Sequence, residues 1–338
     1  MKRVLKALVY TLLGVLILCG AAGYYVYSFF CVPTGMISEP VVLTIEKGDT
    51  LGETAHRLVD MGAVKDDRIF IALARSLGAE KKIRAGEYEI APDMAPRDIL
   101  LLLMAGRVVE YPVTIPEGYN IYQVSETLAE KGFGDESIYL ALMDNQDFIS
   151  SHGIDAETLE GYLFPDTYNM NRGMDERDIL GLMIARYSAV FDEEKESSSL
   201  DVELSDYEIL ILASIIEKEA KDSDERALIS AVFVNRLDMG MKLDSCATVI
   251  YGIWDRFDGN LRRSDLEEPS DYNTYIITGL PKTPICNPGR AAIRAALNPA
   301  DVEYLYFVSK NDGTHYFSTT LSEHNRAVYK YQKLRDYR

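Results

Sequence analysis

Two glutamates, Glu217 and Glu219, lie near the end of an apolar stretch, residues 206–220, and are the first candidates for chemistry in this sequence. On a helical wheel of about 100° per residue, Glu217 falls between Leu210 and Ala213. A carboxyl in such apolar surroundings has its pKa raised by desolvation, which is the condition that a general acid needs near neutral pH. The pattern therefore predicts a buried carboxylic acid that can donate a proton.

The wheel does not choose between the two glutamates. Glu219 falls between Leu212 and Ile215, surroundings as apolar as those of Glu217. Both are equally compatible with surface charges at a fraying helix end, paired with neighbouring cations. Those cations are Lys218, Lys221 and Arg226. From periodicity alone, both interpretations stay open.

Other catalytic side chains are poorly supported by the sequence. His315 and His324 would suit a nucleophilic triad only with a serine or cysteine nearby, and the sequence has no G-x-S-x-G motif. No CxxC or Cys/His spacing indicates a zinc site. We therefore expect no metal.

Size and charge limit the function classes further. The chain has 338 residues and a formal net charge of −18. The length favours about two domains plus an anchor. The negative charge argues against a protein that binds a nucleic-acid backbone, and against a polybasic attachment to anionic lipid. A neutral or mixed-charge polymer is more compatible with it.

A run without charged side chains, residues 7–30, follows the basic residues Lys2, Arg3 and Lys6. About 20 apolar residues span a bilayer as a helix, and a cleaved signal peptide has a shorter apolar region. Tyr and Phe residues at the end of the run are typical of an interfacial aromatic belt. Cys19 follows Leu18, which is a poor match to a lipid-attachment site. We expect a retained single-pass helix, with residues 1–6 in the cytoplasm and the chain after about residue 31 outside.

Four cysteines are present, and two of them, Cys246 and Cys286, lie in the part of the chain expected outside. Disulfides persist in oxidising compartments, so we expect these two to be paired. Such a bridge would stabilise the fold by roughly 3–4 kcal/mol on the loop-entropy account. The alternative is two free buried thiols.

The elements that must position the candidates begin with an internal repeat at a spacing of 70 residues. Thr44–Gly48 parallels Thr114–Gly118, and each copy is followed by an amphipathic helix that ends at a glycine. Capping boxes are expected at residues 50–53 and 120–123. Residues 38–135 are therefore predicted to form a module of two strand–helix units.

The rest of the chain predicts helices at 175–190, 206–220, 224–239, 290–297 and 322–335, with a capping box at residues 205–208. The charged and serine-rich residues 192–201 predict a solvated loop. A hairpin is expected around residues 311–313. Strands and helices alternate without a long βαβ series, which favours an α+β fold over a doubly wound sheet.

Several motifs follow one another in order between residues 159 and 318. They are LEGYLFPDTY (159–168), ASIIEKEA (213–220), ERALISAVFVNRLDMGMKL (225–243), TVIYGI (248–253), DYNTYIITGLP (271–281), NPGRAAIRAALNP (287–299), YLYFV (304–308) and HYFS (315–318). In kind and order they resemble the motifs of the YceG-like endolytic murein transglycosylases. The anchor, and a module that resembles the peptidoglycan-binding LysM domain, also match that family. The resemblance implies a catalytic domain at 156–338 after a LysM-like module.

The resemblance implies an activity and a catalytic residue. The family cleaves the β-1,4 bond between N-acetylmuramic acid and N-acetylglucosamine and leaves a 1,6-anhydro end. The first Glu of its E-K-E triplet, here Glu217, is expected to be the acid/base. Hydrolytic glycosidases need two carboxylates, whereas here the 6-hydroxyl of the substrate is the nucleophile, so one carboxyl suffices without metal or cofactor. The expected partners are glycan strands, penicillin-binding glycan synthases and elongation proteins.

Polar and aromatic residues in the matching motifs are further candidates for binding glycan, because aromatic faces are flat and apolar and Asn both donates and accepts. They are Glu160, Tyr162, Asn235, Tyr272, Asn273 and Tyr275. For Tyr162 and Tyr275 a place in the core is equally compatible, and Asn235 is expected to bond a loop or a substrate. Many family members carry Asp-Pro where this chain has Cys246-Ala247, so the expected disulfide would brace two loops near the cleft.

The expected function is thus a membrane-anchored enzyme that cuts nascent glycan strands on the outer face of the cytoplasmic membrane and so limits their length. The alternative is an anchored protein that binds peptidoglycan without cutting it. The intact E-K-E helix and the motifs that follow it favour the enzyme, since a binding protein does not need them.

Overall fold

The computed structural model describes residues 2–198, 203–220 and 222–333, and these fold into two compact units. The N-terminal unit comprises residues 1–112 and 169–174, and the C-terminal unit comprises residues 113–168 and 175–338. Helices and three two-stranded sheets make up the described residues, which confirms the α+β class. The division at residue 112 assigns the second copy of the sequence repeat to the C-terminal unit.

The first helix, α1 (Lys2–Cys31), contains an apolar stretch of 24 residues, Leu8–Cys31, that is long enough to cross a membrane. Most of its large side chains are exposed, including Leu12, Leu16 and Tyr24. Phe29, by contrast, is buried in the core of the N-terminal unit. The helix thus has the composition and length of a membrane anchor, and its last turn is packed against the fold.

A strand–helix–helix–strand arrangement forms the centre of the N-terminal unit. Strand β1 (Val41–Ile45) pairs antiparallel with β2 (Gly86–Ile90), and helices α2 (Leu51–Asp60) and α3 (Asp67–Ser76) lie between them in sequence. Alternate residues of both strands are buried, so one face of the sheet covers the core. Helix α4 (Pro96–Ala105) completes the unit.

Helix α2 begins at the capping box that the sequence predicts. The Thr50 hydroxyl accepts a hydrogen bond from the backbone N–H of Glu53, and the Glu53 carboxylate accepts one from the N–H of Thr50 at 2.7 Å. The predicted box at Asn120 and Gln123 is present at the start of α5 as well. These caps satisfy backbone donors that the first turn of a helix leaves free.

The C-terminal unit is mainly helical. Strands β3 (Tyr111–Thr114) and β4 (Thr167–Met170) pair, and each contains a point where the chain passes between the two units. The helices of the unit are α5 (Ile121–Glu130), α6 (Glu136–Met143), α7 (Gln146–Ser151), α8 (Glu176–Ser197), α9 (Asp206–Glu219), α10 (Arg226–Asp238), α11 (Cys246–Gly252), α12 (Arg263–Glu267), α13 (Arg290–Leu297) and α14 (Leu321–Val328).

Helix α9 lies at the centre of this unit. It starts at the predicted Ser205 capping box, and every residue from Ile209 to Ile216 is buried. Helices α10 and α13 pack against it, and α8 packs on α13. An α-helix that is apolar all round has to be surrounded in this way, because every face carries surface that is excluded from water.

A hairpin and a terminal helix close the unit. Strands β5 (Tyr306–Ser309) and β6 (His315–Ser318) pair antiparallel, and Asn311 and Gly313 adopt positive φ in the turn between them, which confirms the predicted hairpin. After α14 the chain continues as a π-helical turn, Tyr329–Lys333. Residues 334 and 335 of the predicted last helix lie outside the described residues.

The prediction of a loop at residues 192–201 is wrong for residues 192–197, because α8 continues to Ser197. Glu194 explains the extension. Its side chain is only 2% exposed, and its carboxylate accepts hydrogen bonds from Arg294 at 2.7 and 2.9 Å and from Arg290 at 2.8 Å. Both arginines belong to α13, so the last turns of α8 are held by a tertiary ion pair that a charge-rich sequence does not reveal. Residues 199–201 lie outside the described part.

Replacement of Glu194 tests this ion pair. We expect Glu194→Ala to lower the free energy of unfolding of the C-terminal unit by about 2 kcal/mol, because two arginines lose their partly buried partner. Chemical denaturation followed by the fluorescence of the single tryptophan, Trp254, measures it. Glu193→Ala is the matched control: Glu193 is 67% exposed, pairs with Arg290 alone, and should leave the midpoint nearly unchanged. Equal midpoints for the two variants would contradict this account.

Candidate functional site

A cavity of about 580 Å³ lies in the C-terminal unit at the end of α9, and Glu219 contributes to its wall. Side chains from α10, from the segment before α11, from the β5–β6 hairpin and from α14 complete it. The polar residues that line it are Glu219, Arg236, Asp244, Ser245, Cys246, Tyr275, Tyr306, Ser309, His315, His324 and Gln332. We call it the Glu219 cavity.

Glu219 has the electrostatic surroundings of a general acid. Burial raises the pKa of its carboxyl, and a hydrogen bond from Ser245 and the nearby imidazole of His315 oppose that rise. The Ser245 hydroxyl donates to Glu219 Oε1 at 2.6 Å. A single side-chain donor thus orients the carboxyl, which lines the cavity. A carboxyl with a raised pKa on the wall of a cavity can give a proton to a bound ligand and take one back.

His315 faces the same cavity and is held from behind. Its Nδ1 lies 2.7 Å from Glu225 Oε2, and its backbone N–H donates to both carboxylate oxygens of Glu225. The two side chains are only 10% and 13% exposed. The Phe307 ring packs edge-on against the imidazole at 5.4 Å between centroids. These contacts hold the His315 imidazole in one orientation at the wall of the Glu219 cavity.

The segment that carries Ser245 is braced by hydrogen bonds to Thr274. The backbone N–H of Ser245 donates to the Thr274 hydroxyl at 3.0 Å, and the hydroxyls of Thr248 and Thr274 lie 2.9 Å apart. The backbone N–H of Asp244 donates to the Thr274 carbonyl. The loops around the cavity are thus tied together without a covalent link.

The expected disulfide between Cys246 and Cys286 is absent, and both residues are free thiols. Cys286 is buried, and its thiol lies 3.3 Å from the carbonyl of Ser214 inside α9. Cys246 is exposed at the start of α11, with its Sγ 3.0 Å from the hydroxyl of Tyr275. Each sulfur contacts a different partner, and the segment before α11 is braced by Thr274 rather than by a covalent bond to Cys286.

Glu217, the predicted acid/base, lies in a different environment from Glu219. Its Oε2 accepts a hydrogen bond from the backbone N–H of Gly289 at 3.0 Å, and its Oε1 lies 3.7 Å from the guanidinium of Arg226. The side chain is 7% exposed. Burial raises the pKa of Glu217 and nearby Glu117 adds to the rise, whereas Gly289, Arg226 and Lys218 oppose it. One carboxylate oxygen therefore accepts a hydrogen bond from the backbone, and the other lies within ion-pair distance of Arg226.

Gly289, which donates this hydrogen bond, is the N-cap residue of α13 and lies close to Glu117. A Cβ at this position would come within 2.0 Å of the Glu117 carboxylate, so a larger residue here would have to displace that exposed side chain. Next to it, Lys218 donates to the carbonyl of Gly118 at 3.1 Å. Glu217 and Lys218 thus tie the end of α9 to the start of α13 and to the loop before α5.

Glu160, a predicted glycan-binding residue, is fully buried and bonded by the protein. Its Oε2 accepts hydrogen bonds from the backbone N–H of Ile121 at 3.1 Å and from the Tyr251 hydroxyl at 2.8 Å. The side-chain amide of Asn287 lies 3.4 Å from its other oxygen. Burial raises the pKa of Glu160 to about 8. The carboxyl connects three segments that are distant in sequence.

Three other candidates for glycan binding have contacts within the fold. Asn235 donates to the carbonyls of Val302 and Tyr304 at 2.8 and 3.0 Å, so it bonds a loop. The Asn273 amide is buried and donates to the carbonyls of residues 265, 266 and 268. Tyr162 packs within an aromatic cluster, with its ring 5.1 Å from that of Tyr187.

The last two candidates line cavities. Tyr275 contributes to the Glu219 cavity beside Cys246. Tyr272 lines a separate cavity, and its hydroxyl lies 2.9 Å from that of Thr283. A larger depression, of about 780 Å³, lies over α14, but none of the side chains that line it is a carboxylic acid. The structure therefore brings only Tyr275 of the predicted binding residues to the carboxyl of Glu219.

The sequence leaves Glu219 open beside Glu217, and nothing in it singles out Ser245 or Glu225. Ser245 lies just before the TVIYGI motif, so its position, but not its contact with Glu219, can be found from the sequence. The HYFS motif includes His315 but does not show its contact with Glu225 or its place beside Glu219. The motifs around Ser245 and His315 do not show which side of α9 faces the cavity.

The site has the geometry for acid/base chemistry on a bound ligand. Comparisons with known proteins show which family the chain belongs to. The YceG-like family profile matches residues 43–330. The endolytic murein transglycosylase of Bacillus subtilis strain 168 is 32% identical over 307 residues, which cover 86% of this chain and 84% of that protein. A protein of the same name from Streptococcus pneumoniae R6 is 29% identical, and the match covers 96% of this chain and 65% of that protein.

A solved structure agrees with the sequence comparisons. A 2.6 Å crystal structure of a YceG-like protein from Listeria monocytogenes aligns with a TM-score of 0.57 and 30% identity, covering 86% of this chain and 99% of that one. The chain belongs to the YceG-like family.

The buried carboxyl of Glu160 predicts a specific pH dependence of stability. Its pKa is about 8 in the folded chain against an ordinary 4.5, so the folded state holds a proton that the unfolded state has lost between these values. Stability should therefore fall as the pH rises from about 5 to 8, by an amount of order 2–3 kcal/mol from this group. Denaturation of the wild type and of Glu160→Gln at each pH measures the effect. The stability of the wild type relative to the variant should fall by this amount as the pH rises, because the neutral amide does not titrate.

The control for this experiment is Glu157→Gln, since Glu157 is 66% exposed and pairs with Lys282. Its stability should follow that of the wild type at every pH. A Glu160→Gln profile parallel to the wild-type profile would show that Glu160 does not carry the proton.

Proposed function

We propose that this protein is a lytic transglycosylase, a lyase that acts on peptidoglycan, and that Glu219 is its acid/base. The observation that carries the proposal is the Glu219 cavity, where a carboxyl with a raised pKa meets space for a ligand. The substrate follows from the relatives, which are named endolytic murein transglycosylases and match most of this chain.

The reaction needs one carboxyl that acts twice. Protonated Glu219 gives its proton to the oxygen that links N-acetylmuramic acid to N-acetylglucosamine, and the bond from C1 to that oxygen breaks. The 6-hydroxyl oxygen of the same muramic acid then bonds to C1 and gives its proton to the Glu219 carboxylate. The product carries a 1,6-anhydro ring, the acid is restored, and no water is consumed. Hydrolysis would instead require a second carboxylate to activate water.

Residues around Glu219 have roles in this scheme. The Ser245 hydroxyl orients the carboxyl through its 2.6 Å hydrogen bond. His315, fixed by Glu225, lies where positive charge would stabilise the carboxylate that forms after the first proton transfer. Tyr275 offers an aromatic face and a hydroxyl to the ligand. Glu217 is the alternative acid, but its oxygens contact Gly289 and Arg226, so we assign it the task of fixing the end of α9.

The remaining features suggest where and on what the enzyme acts. We infer that α1 is a single-pass anchor with its N-terminus in the cytoplasm, because Lys2, Arg3 and Lys6 precede the apolar stretch. The rest of the protein then lies on the outer side of the membrane, where nascent glycan strands appear. Cutting these glycan strands at internal bonds limits their length. Glycan synthases of the penicillin-binding class and elongation proteins are the expected partners.

The N-terminal unit supports a role in holding the wall. Its β1–α2–α3–β2 order, with the two strands antiparallel, is compatible with the LysM-like module inferred from the sequence. We propose that this unit binds glycan while residues 156–338 carry the chemistry. The module bounds of 38–135 stay a prediction.

Two amide variants test the function and the acid together. Full-length wild type, Glu219→Gln and Glu217→Gln are incubated with purified sacculi, and the released ends are identified by mass spectrometry. We expect 1,6-anhydro ends, lighter by one water than hydrolysed ends, from the wild type. Glu219→Gln should reduce them at least about a hundredfold, since loss of general acid/base catalysis costs that much. Glu217→Gln should retain most of the cutting.

The other outcomes are equally informative. Loss of cutting only in Glu217→Gln, with an unchanged thermal unfolding midpoint, would return the acid/base to the residue predicted from the sequence. Reducing ends would show hydrolysis and call for a second carboxylate. Binding to sacculi by a folded wild type that produces no new ends would favour a protein that holds peptidoglycan without cutting it.

A further inference from the structure

A second cavity, of about 330 Å³, lies in the C-terminal unit at the far end of α11. Aromatic rings form one side of it. Trp254, the only tryptophan in the sequence, and Tyr122 are nearly parallel, with ring centroids 6.2 Å apart and an angle of 11°. Tyr251 and Tyr272 add two further rings to the lining. Ligand cavities commonly have this size and this combination of aromatic surface with few polar groups.

Carboxylates border the aromatic surface. Asp144 and Asp255 both line the cavity, and within the described residues neither carboxyl is hydrogen-bonded by another side chain. The nearby cation, Arg256, is held by Asp265 at 3.0 Å and by Glu268. The cavity therefore presents hydrogen-bond acceptors next to flat apolar rings. A sugar ring matches both, because one of its faces is lined by C–H groups while its hydroxyl and acetamido groups donate at the rim.

The walls of this cavity are fixed by a buried carboxyl behind them. Glu160 accepts hydrogen bonds from the N–H of Ile121, at the start of the helix that carries Tyr122, and from the hydroxyl of Tyr251. The Glu160 side chain thus links the helix that carries Tyr122 to Tyr251, which lies three residues before Trp254. A ligand would meet a site that is already formed, which lowers the entropic cost of binding.

We propose that the Trp254 cavity is a subsite for a sugar ring of the glycan strand, separate from the Glu219 cavity. The inference rests on the proposed function for the identity of the polymer. Helix α11 joins the two cavities: Cys246 at its start lines one, and Tyr251 near its end lines the other. Five residues of helix cover about 8 Å, a separation that a short oligosaccharide can span. A strand held at both places would be cut inside its length rather than at its end.

Binding of an oligosaccharide tests the subsite directly. Full-length Glu219→Gln in detergent is titrated with a β-1,4-linked tetramer of N-acetylglucosamine, so that binding is measured without cutting. Because Trp254 is the single tryptophan, its fluorescence reports on this cavity alone, and we expect a saturable change in emission. Calorimetry on Glu219→Gln/Trp254→Ala should show an affinity at least about tenfold weaker, since tryptophan anchors often dominate binding. Trp254→Phe, which keeps a ring, should recover most of it.

Controls separate a specific subsite from general effects. Tyr329→Ala removes an exposed aromatic ring, 58% exposed, from the α14 surface and should leave binding unchanged. The proposal would be overturned if Glu219→Gln/Trp254→Ala bound the tetramer as tightly as Glu219→Gln, which keeps Trp254. It would also be overturned if Tyr329→Ala alone abolished binding. Circular dichroism confirms that each variant is folded.

Failure of this proposal can be told apart from failure of the proposed function. If the wild type cuts sacculi while Trp254→Ala both binds the tetramer and cuts as well as the wild type, the subsite is refuted and the enzyme stands. If the tetramer binds in a Trp254-dependent way while the wild type releases no anhydro ends, the subsite stands and the transglycosylase is refuted.

Discussion

Burial of α9 on every side is the constraint on which the C-terminal unit depends. Because each residue from Ile209 to Ile216 is enclosed, the helix has no freedom to rotate, and its last turn is fixed as well. Two residues that are two positions apart lie about 200° apart around a helix, so Glu217 and Glu219 point to nearly opposite sides. One contacts the start of α13 and the other lines a cavity. The same geometry that makes both carboxyls buried prevents them from sharing one site.

Local features of the fold could be predicted from the sequence because their causes are local. The capping boxes at Thr50, Asn120 and Ser205 involve residues three positions apart, and all three are present. The β5–β6 turn follows from residues that tolerate positive φ, and the burial of α9 follows from its composition. The α+β class needed only the order of such elements.

Features set by contacts between distant residues could not be predicted. The extension of α8 depends on Arg290 and Arg294, which lie almost a hundred positions after Glu194, so its charged sequence resembles a solvated loop. The expected disulfide between Cys246 and Cys286 rests on an oxidising compartment and on two cysteines being available there. In the structure, the Cys246 thiol contacts the Tyr275 hydroxyl and the Cys286 thiol contacts the Ser214 carbonyl. A helical wheel likewise does not show which neighbours Glu217 and Glu219 contact, since it describes the helix alone.

A continuous set of contacts relates the parts of the candidate site. Tyr251, beside the Trp254 cavity, bonds Glu160, and Glu160 lies next to Asn287, two residues before the Gly289 that bonds Glu217. Burying a carboxyl costs free energy of folding. Here Glu160 and Glu217 offset part of that cost by bonding loops and holding them in one arrangement.

This arrangement affects how variants of Glu217 should be interpreted. Glu217 precedes Glu219 by two residues and fixes the end of the helix that carries it, so a substitution that disturbs the first can displace the second. Loss of cutting in a Glu217 variant would therefore not identify it as the acid unless the thermal unfolding midpoint is unchanged. An acid replaced by its amide loses a proton donor and little else, whereas a fixing contact that is weakened lowers stability along with activity.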